Sequence, residues 1–257
     1  MGVLNVTPDS FSDGGRFLEK ADAVAQARRM LEEGADIVDV GGESSRPGAA
    51  PVSEEEEIKR VVPVLQALQD LKAPVSVDTR RPRVMREALA AGASMINDIS
   101  ALAAPGALEA VAASECAVCL MHMQGEPGTM QRDPRYGDVV REVKAFLSER
   151  VLVCENHGIA RDRIAIDPGF GFGKTSAHNL ELLRRLPELA ALGVPVAAGW
   201  SRKSTLGAIT GRDAGDRLAA SLAAALLAAQ RGARILRVHD VKETRDALAV
   251  WEAASAA

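Results

Sequence analysis

The stretch IAIDPGFGFGKT, from Ile164 to Thr175, runs a short apolar segment into an aspartate, a proline and three glycines, ahead of a Lys-Thr pair. A nucleotide-binding P-loop opens in a similar way, so the reading of this stretch separates one fold from another. A Walker A loop is G-x-x-x-x-G-K-[ST], because loop length sets how many backbone N–H groups can wrap a phosphate before the helix begins. Only three residues lie between Gly169 and Gly173, which leaves the cradle one residue short. The dinucleotide fingerprint G-x-G-x-x-G fails as well, since Lys174 stands where its third glycine belongs. What remains is a strand that ends in Asp167 and a glycine-rich turn behind it.

The same unit recurs along the chain. Short β-branched runs at Gly2 to Val6, Asp36 to Val40, Pro74 to Val77, Ser94 to Ile99, Ala117 to Met121, Arg163 to Ile166, Val194 to Ala198 and Arg234 to Val238 read as eight strands. Stretches of helical period fall between them: Ala21 to Glu33, Ser53 to Leu71, Pro82 to Ala91, Pro105 to Ala113, Asp138 to His157, His178 to Leu189, Asp216 to Arg231 and Val241 to Ala254. Ser53 and Glu56 have capping-box spacing, and Gly34, Gly92, Gly158 and Gly232 stand where helices stop. Parallel strands joined by helices build either an open doubly wound sheet or a closed (β/α)8 TIM barrel. Eight units in 257 residues favour the barrel, which commonly runs to about 250 residues as one domain, so residues 1–257 read as a single domain. The first unit, NVTPDSFSDGG, also lacks a Rossmann glycine signature. The chain starts almost on its first strand, which leaves open whether residues closing the barrel bottom precede it.

Composition narrows the function. Hydrophobic residues make up 47% and charged residues 26%, as in a globular protein with a substantial core. A net charge of −4 argues against a general nucleic-acid binder, so an anionic ligand has to meet a local cluster of positive charge. Cys116-x-x-Cys119 has no second pair to complete a zinc site, and its spacing puts the two thiols on opposite faces of a strand as buried structural groups. No stretch approaches the roughly 20 apolar residues of a membrane span. The N-terminus lacks a signal-peptide pattern, and a cytoplasmic protein with no membrane partner is expected.

In a barrel the reactive groups come from the C-terminal ends of the strands and the loops behind them. Here every strand carries polarity at that end: Asn5; Gly41 to Ala49 (GGESSRPGA); Asp78; Asn97 with Asp98; Met121 with His122; Asp167; Ser201 to Ser204; and Arg237, His239 and Asp240. Each alone reads as an N-cap or turn residue, but together they require eight coincidences. Asp78, Asn97 and Asp167, with Lys203, suit a flat heterocycle carrying both donors and acceptors, such as a pterin with its guanidine-like edge. Arg46, Arg237 and His239, with Asn5, suit a phosphate group and a Mg²⁺ ion shared with it. None of His122, His157, His178 and His239 has zinc-protease spacing, and Ser201 in GWSRK lacks a nucleophile elbow.

The segments GVLNVTPDSFSDGG, GGESSRPGA, VSVDT, INDIS, MHMQG, DPGFGFGK, SRKS and RVHDV, in this order from Gly2 to about Val241, together resemble the dihydropteroate synthase family. The resemblance implies a TIM barrel that joins 6-hydroxymethyl-7,8-dihydropterin pyrophosphate to p-aminobenzoate, releases pyrophosphate, works with Mg²⁺ and forms a homodimer. By matching position, Asp78, Asn97, Asp167, Lys203 and Arg237 would contact the pterin, and Asn5 would hold Mg²⁺. Asn5, Arg46, Arg237 and His239 would meet the pyrophosphate, while Ser45, Pro47, Phe172, Lys203 and Ser204 would border p-aminobenzoate. Asp78, Lys203, Arg237 and His239 are the residues expected to carry the chemistry. Ser45 stands where the family commonly has threonine, Trp200 where a smaller apolar residue is usual and Thr205 where a larger one is. These departures bear on the shape of the p-aminobenzoate pocket and its response to sulfonamide competitors.

The expected reaction is a dissociative substitution in which the cationic groups take up charge on departing pyrophosphate, while Asp78 and Asp167 stabilise the cationic pterin methylene. Ordered binding would follow if the loops Thr7 to Gly15 and Ser44 to Pro51 close on the pyrophosphate. Lys174, outside both sets, is expected at the surface, and Trp200 beside the site. Two other readings are a pterin-dependent methyltransferase, which has no evident need for SRKS, and a catalytically silent pterin-binding paralogue, against which Asn5, Arg46, Lys203, Arg237 and His239 stand together.

Overall fold

The computed structural model describes residues 1–6, 15–44 and 51–255, with backbone alone over 15–19. Its eight parallel strands are β1 (Gly2–Asn5), β2 (Val38–Gly41), β3 (Val75–Asp78), β4 (Met95–Asp98), β5 (Ala117–Met121), β6 (Ile164–Asp167), β7 (Val196–Ala198) and β8 (Ala233–Leu236), and they pair in sequence order. The described helices are α1 (Gly15–Glu32), α2 (Glu54–Leu68), α3 (Pro82–Ala90), α4 (Ala107–Ala112), α5 (Val139–Asn156), α6 (Ser176–Arg184), α7 (Leu186–Ala190), α8 (Ser204–Thr210), α9 (Leu218–Gln230) and α10 (Val241–Ser255). A parallel bridge between Gly2 and Val238, with Val3 N donating to Val238 O at 2.9 Å, returns the last strand to the first. The expected (β/α)8 barrel is the fold found.

Alternation along the strands divides the core in two. Leu4, Val38, Val40, Val75, Val77, Ile96, Val118, Leu120, Ile164, Ile166 and Val196 point outward into one apolar cluster shared with the helices. Met95, Cys119, Ala165 and Ala197 point inward and fill the barrel, with Met1, Ala117 and Ile235 against them. Cys116 packs in the outer cluster and Cys119 in the inner one, so the two thiols do take opposite faces, and both are free and buried. Both faces of each strand are covered, which is why the strands read as short apolar runs rather than as polar–apolar alternations.

Local signals place the helices. Ser53 Oγ accepts from Glu56 N at 3.2 Å, giving the N-cap half of the expected box, while Glu56 pairs with Arg60 one turn on at 3.0 Å. A complete capping box stands instead at Thr175 and His178. Gly34, Gly92, Gly158 and Gly232 end their helices in the left-handed region, as expected of C-terminal stops. The expected helix from His178 to Leu189 is two helices that break at Arg185, and α8 was not foreseen. No described helix is long and apolar enough to cross a membrane.

Asp98, at the end of β4, serves the fold. Its carboxylate accepts from Ser100 N at 2.7 Å and Leu102 N at 2.8 Å, holding buried Ala101 and Leu102 at φ of 52° and 56°. Arg150 ties down the same turn by donating to both of their carbonyls. Burial pushes the Asp98 carboxyl up to about 6 against those two backbone bonds. Asp98→Ala would orphan one buried and one partly buried N–H donor at a cost of about 2–4 kcal/mol. Urea denaturation should show that loss with turnover of the folded protein within about twofold, and an unshifted midpoint would refute this role for Asp98.

Candidate active site

The C-terminal mouth of the barrel opens into a cavity of about 520 Å³, within the range of small-molecule sites. Most strands reach it through their last inward position: Asn5, Asp78, Asn97, Met121, Asp167, Gly199 and Arg237 all line it. On β2 that position is Gly41, whose missing side chain leaves room between Asn5 Oδ1 and Asp78 Cβ, each 3.7 Å from where a Cβ would stand. Phe172, Lys203, Ser204 and His239 complete the rim from the loops. Thus Asn5, Asp78, Asn97, Asp167, Phe172, Lys203, Ser204, Arg237 and His239 are brought together as expected from the sequence. Ser45, Arg46 and Pro47 lie outside the described residues, as do positions 7–14 and 45–50 of the loops Thr7 to Gly15 and Ser44 to Pro51 that were expected to close.

One guanidinium organises the floor of the cavity. Arg237 donates through Nε to Asp39 Oδ2 at 2.6 Å and through NH2 to Asp78 Oδ2 at 2.8 Å. Asp39 Oδ2 also accepts from Asn97 Nδ2 at 3.2 Å, which fixes the Asn97 amide orientation. Asp39 is fully buried and sequence reasoning missed it; a charged residue inside the apolar run IVDVGG was the only signal. Burial works against the charge on Arg237, but Asp39 and Asp78 outweigh it and raise its pKa. Burial pushes Asp78 up to about 7, with Arg237 opposing and Asp39 reinforcing the shift. One fully buried and one largely buried carboxylate thus share one cation, a costly arrangement unless both are held in good geometry. Arg237 is no surface salt bridge.

The opposite wall is built from the turn behind β6 and the segment behind β7. Asp167 accepts from Gly169 N at 2.7 Å, and burial raises its pKa although Lys203 and Arg237 oppose. Lys203 Nζ stands 4.2 Å over the Phe172 ring, a cation–π contact that sets an ammonium and an aromatic face side by side. Ser201 lies outside both expected sets, yet its buried hydroxyl lies 2.9 Å from His239 Nδ1 and accepts from His239 N at 3.2 Å, so it positions that imidazole. Trp200, between two cavity residues in sequence, turns its ring into the core against Phe170 at 4.6 Å between centroids.

Lys174 corrects the sequence reading. It is only 2% exposed, and its ammonium donates to His122 Nδ1 at 2.9 Å, Phe172 O at 2.9 Å and His122 O at 3.3 Å. Burial, with the Lys203 charge adding to it and Asp167 opposing, brings its pKa down to about 7. Burial and Lys174 together push His122 down to about 3, so the imidazole is neutral and Nδ1 is the acceptor. Behind β2, Glu43 lines the cavity and accepts from Val52 N at 3.1 Å, while Arg81 bridges Glu43 and Glu57 at 3.0 and 2.7 Å. That network anchors the chain where it returns to α2.

Residues 1–239 match the family described as "Pterin binding enzyme". Dihydropteroate synthase of Escherichia coli (strain K12) is 53% identical, over 98% of this chain and 90% of that protein. The structure of dihydropteroate synthase from Xanthomonas albilineans with 4-aminobenzoic acid superposes with a TM-score of 0.94 at 56% identity, covering 100% of this chain and 93% of that one. The same organism's enzyme in complex with 7,8-dihydropteroate gives 0.92 at 54% identity, with the same coverage.

Proposed function

The chain belongs to the pterin-binding enzymes, and within them to the dihydropteroate synthases, and on that premise we propose how its site performs the reaction. It is a transferase of folate biosynthesis: 6-hydroxymethyl-7,8-dihydropterin pyrophosphate and p-aminobenzoate give 7,8-dihydropteroate and pyrophosphate. The observation that carries the site assignment is the convergence of buried Asp167, partly buried Asp78, a buried amide and a lysine on one cavity of about 520 Å³. Asp167, Asn97 and Asp78 offer the hydrogen-bonding edge a pterin needs, with Lys203 facing its carbonyl and Arg237 flanking the ring. Residues 1–257 act as one pterin-binding unit in this reading.

The reaction breaks the C–O bond to pyrophosphate, forms a C–N bond to the aryl amine and releases a proton from that amine. Arg237 and His239, with Arg46, receive the charge that grows on departing pyrophosphate. Asp78 and Asp167 stabilise the positive charge that spreads from the methylene into the ring. Phe172 and Lys203, with Ser204, Ser45 and Pro47, border the aryl amine, and no side chain acts as a covalent nucleophile. Ordered binding, with the pterin substrate first, belongs to this reading.

Magnesium fits this site only in a particular way. The described residues contain no cluster of three or more His, Cys, Asp or Glu able to hold a metal, and Asn5 offers one neutral oxygen at the rim. That suits Mg²⁺, which keeps several waters and is commonly bound through one or two protein oxygens together with substrate phosphates. Asn5 would hold the ion, which would neutralise charge on the pyrophosphate oxygens.

The chain acts as a cytoplasmic homodimer in this reading. Three free, buried thiols suit a reducing compartment, and exposed Leu218 and Leu227 on the charge-free α9, with Val250 on α10, supply apolar surface for a second copy. The reaction is tested by following pyrophosphate release and dihydropteroate formation with and without p-aminobenzoate and Mg²⁺. Product that requires both is the expected result; tight pterin binding with no turnover would overturn the reading.

A further inference from the structure

Beneath the turn that follows β6 lies a buried polar cluster that takes no part in the reaction described above. Lys174 Nζ sits between His122 Nδ1, His122 O and Phe172 O, all within 3.3 Å. The His122 ring is fixed edge-on by Phe146, with centroids 5.0 Å apart, and Tyr136 donates to Gly173 O at 2.8 Å. From the other side, Asn179 Oδ1 accepts from Gly171 N at 2.8 Å, and Asn179 Nδ2 donates to Thr205 Oγ1 at 2.9 Å. Lys174, His122, Asn179 and Thr205 are all buried. Between these two clamps the chain has one large side chain to place, Phe172, and its ring lies under Lys203 at 4.2 Å.

We propose that Lys174 is a positioning residue for the aryl-amine half of the site: its ammonium gathers the end of β5 and the carbonyl of Phe172, and so sets the face that Phe172 and Lys203 present to the second substrate. Lys174 does not line the cavity, so it acts only through the turn it holds. Three acceptors converging on one buried amine are more than a bystander would collect. A buried lysine is costly to keep, and Lys174→Met holds the length of the side chain while removing all three donated hydrogen bonds. The Asn179–Thr205 bond is the second anchor of the same turn, and it depends on Thr205, one of the positions where this chain departs from the family's usual side chain.

This inference rests on the assignment of Phe172 and Lys203 to p-aminobenzoate, and wild-type formation of dihydropteroate checks the reaction first and separately. Lys174→Met is then compared with wild type in two assays. In steady-state kinetics, KM for p-aminobenzoate should rise about tenfold or more, while KM for the pterin pyrophosphate stays within about twofold. In hydrogen exchange, the amides of residues 169–173 should lose protection while those of β2 and β3 keep theirs. Tyr136→Phe removes a single hydrogen bond from the same clamp, remains folded, and should raise the same KM about two- to threefold. Leu68→Ala, a core truncation on α2, supplies a destabilised control whose KM values should not move. Equal rises in both KM values, or an unchanged KM for p-aminobenzoate in folded Lys174→Met, would overturn the proposal. Unchanged protection over 169–173 would overturn it as well.

Discussion

Arg237→Met loses about 3–5 kcal/mol of stability at pH 8 and roughly a thousandfold in kcat/KM, because one substitution strips the cation from one fully buried and one largely buried carboxylate. Asp39 is fully buried and Asp78 nearly so, and Arg237 is the cation bonded to both, at 2.6 and 2.8 Å. Burial already raises Asp78 to about 7 with the guanidinium present, so without it the folded-state pKa rises further. The sign of the pH effect follows. A carboxyl whose folded pKa lies above its unfolded value binds more protons in the folded state, so its stability contribution is present at low pH and lost as pH rises through the folded pKa. The variant should therefore be closer to wild type at pH 5 than at pH 8 in denaturant titrations. Adding Asp39→Asn to Arg237→Met should restore much of the stability at pH 8 and little of the turnover, since pyrophosphate would still meet no cation there. Arg237→Lys should behave more like the methionine variant than like wild type, because a point charge cannot span two carboxylates as a planar fork does. A stable, pH-independent Arg237→Met protein would refute the shared-cation account of the floor.

That shared cation also marks where sequence reading stopped. Eight strands were legible because each is covered on both faces, which writes a short apolar run with turn residues behind it. The rim was legible because polar side chains recur at corresponding places, from Asn5 to Arg237, and a barrel builds its site at the C-terminal ends of its strands. Asp39 was not legible: it sits one inward position below the rim, and its partner Arg237 is 198 residues away. Lys174 was misread because lysine is usually a surface residue, and two of its three acceptors are backbone carbonyls, which leave no trace in a sequence. The short α8 escaped because seven residues are too few to show a helical period, although its start fixes Lys203 at the N-cap. The break at Arg185 did have a sequence signal that went unread: Pro187, which has no backbone N–H to give to the preceding turn, stands in the first turn of α7.

Gly169→Ala should cost roughly 3–5 kcal/mol and lower turnover about a hundredfold or more, whereas Gly158→Ala, also in the left-handed region, should cost about 1–2 kcal/mol and leave turnover unchanged. Gly169 has φ of 67° and Gly158 of 84°, so the backbone penalty for a side chain is similar at the two positions. The surroundings differ. A Cβ at Gly158 meets nothing within 4 Å, whereas one at Gly169 would stand 2.0 Å from His122 O, a distance no relaxation of side chains can relieve. The turn behind β6 has to lift away from the end of β5, and three linked groups go with it. Gly169 N leaves Asp167 Oδ1, which frees the carboxylate that faces the cavity. His122 O moves relative to Lys174 Nζ, and Phe172 loses its place under Lys203. Loss of activity should therefore appear for both substrates in Gly169→Ala, through Asp167 for the pterin and through Phe172 for the aryl amine. Lys174→Met, by contrast, should affect the aryl amine alone. Kinetics on the three variants, with thermal unfolding beside them, decide the matter: equal effects of the two glycine substitutions would mean that close backbone packing under the turn is not what aims Asp167.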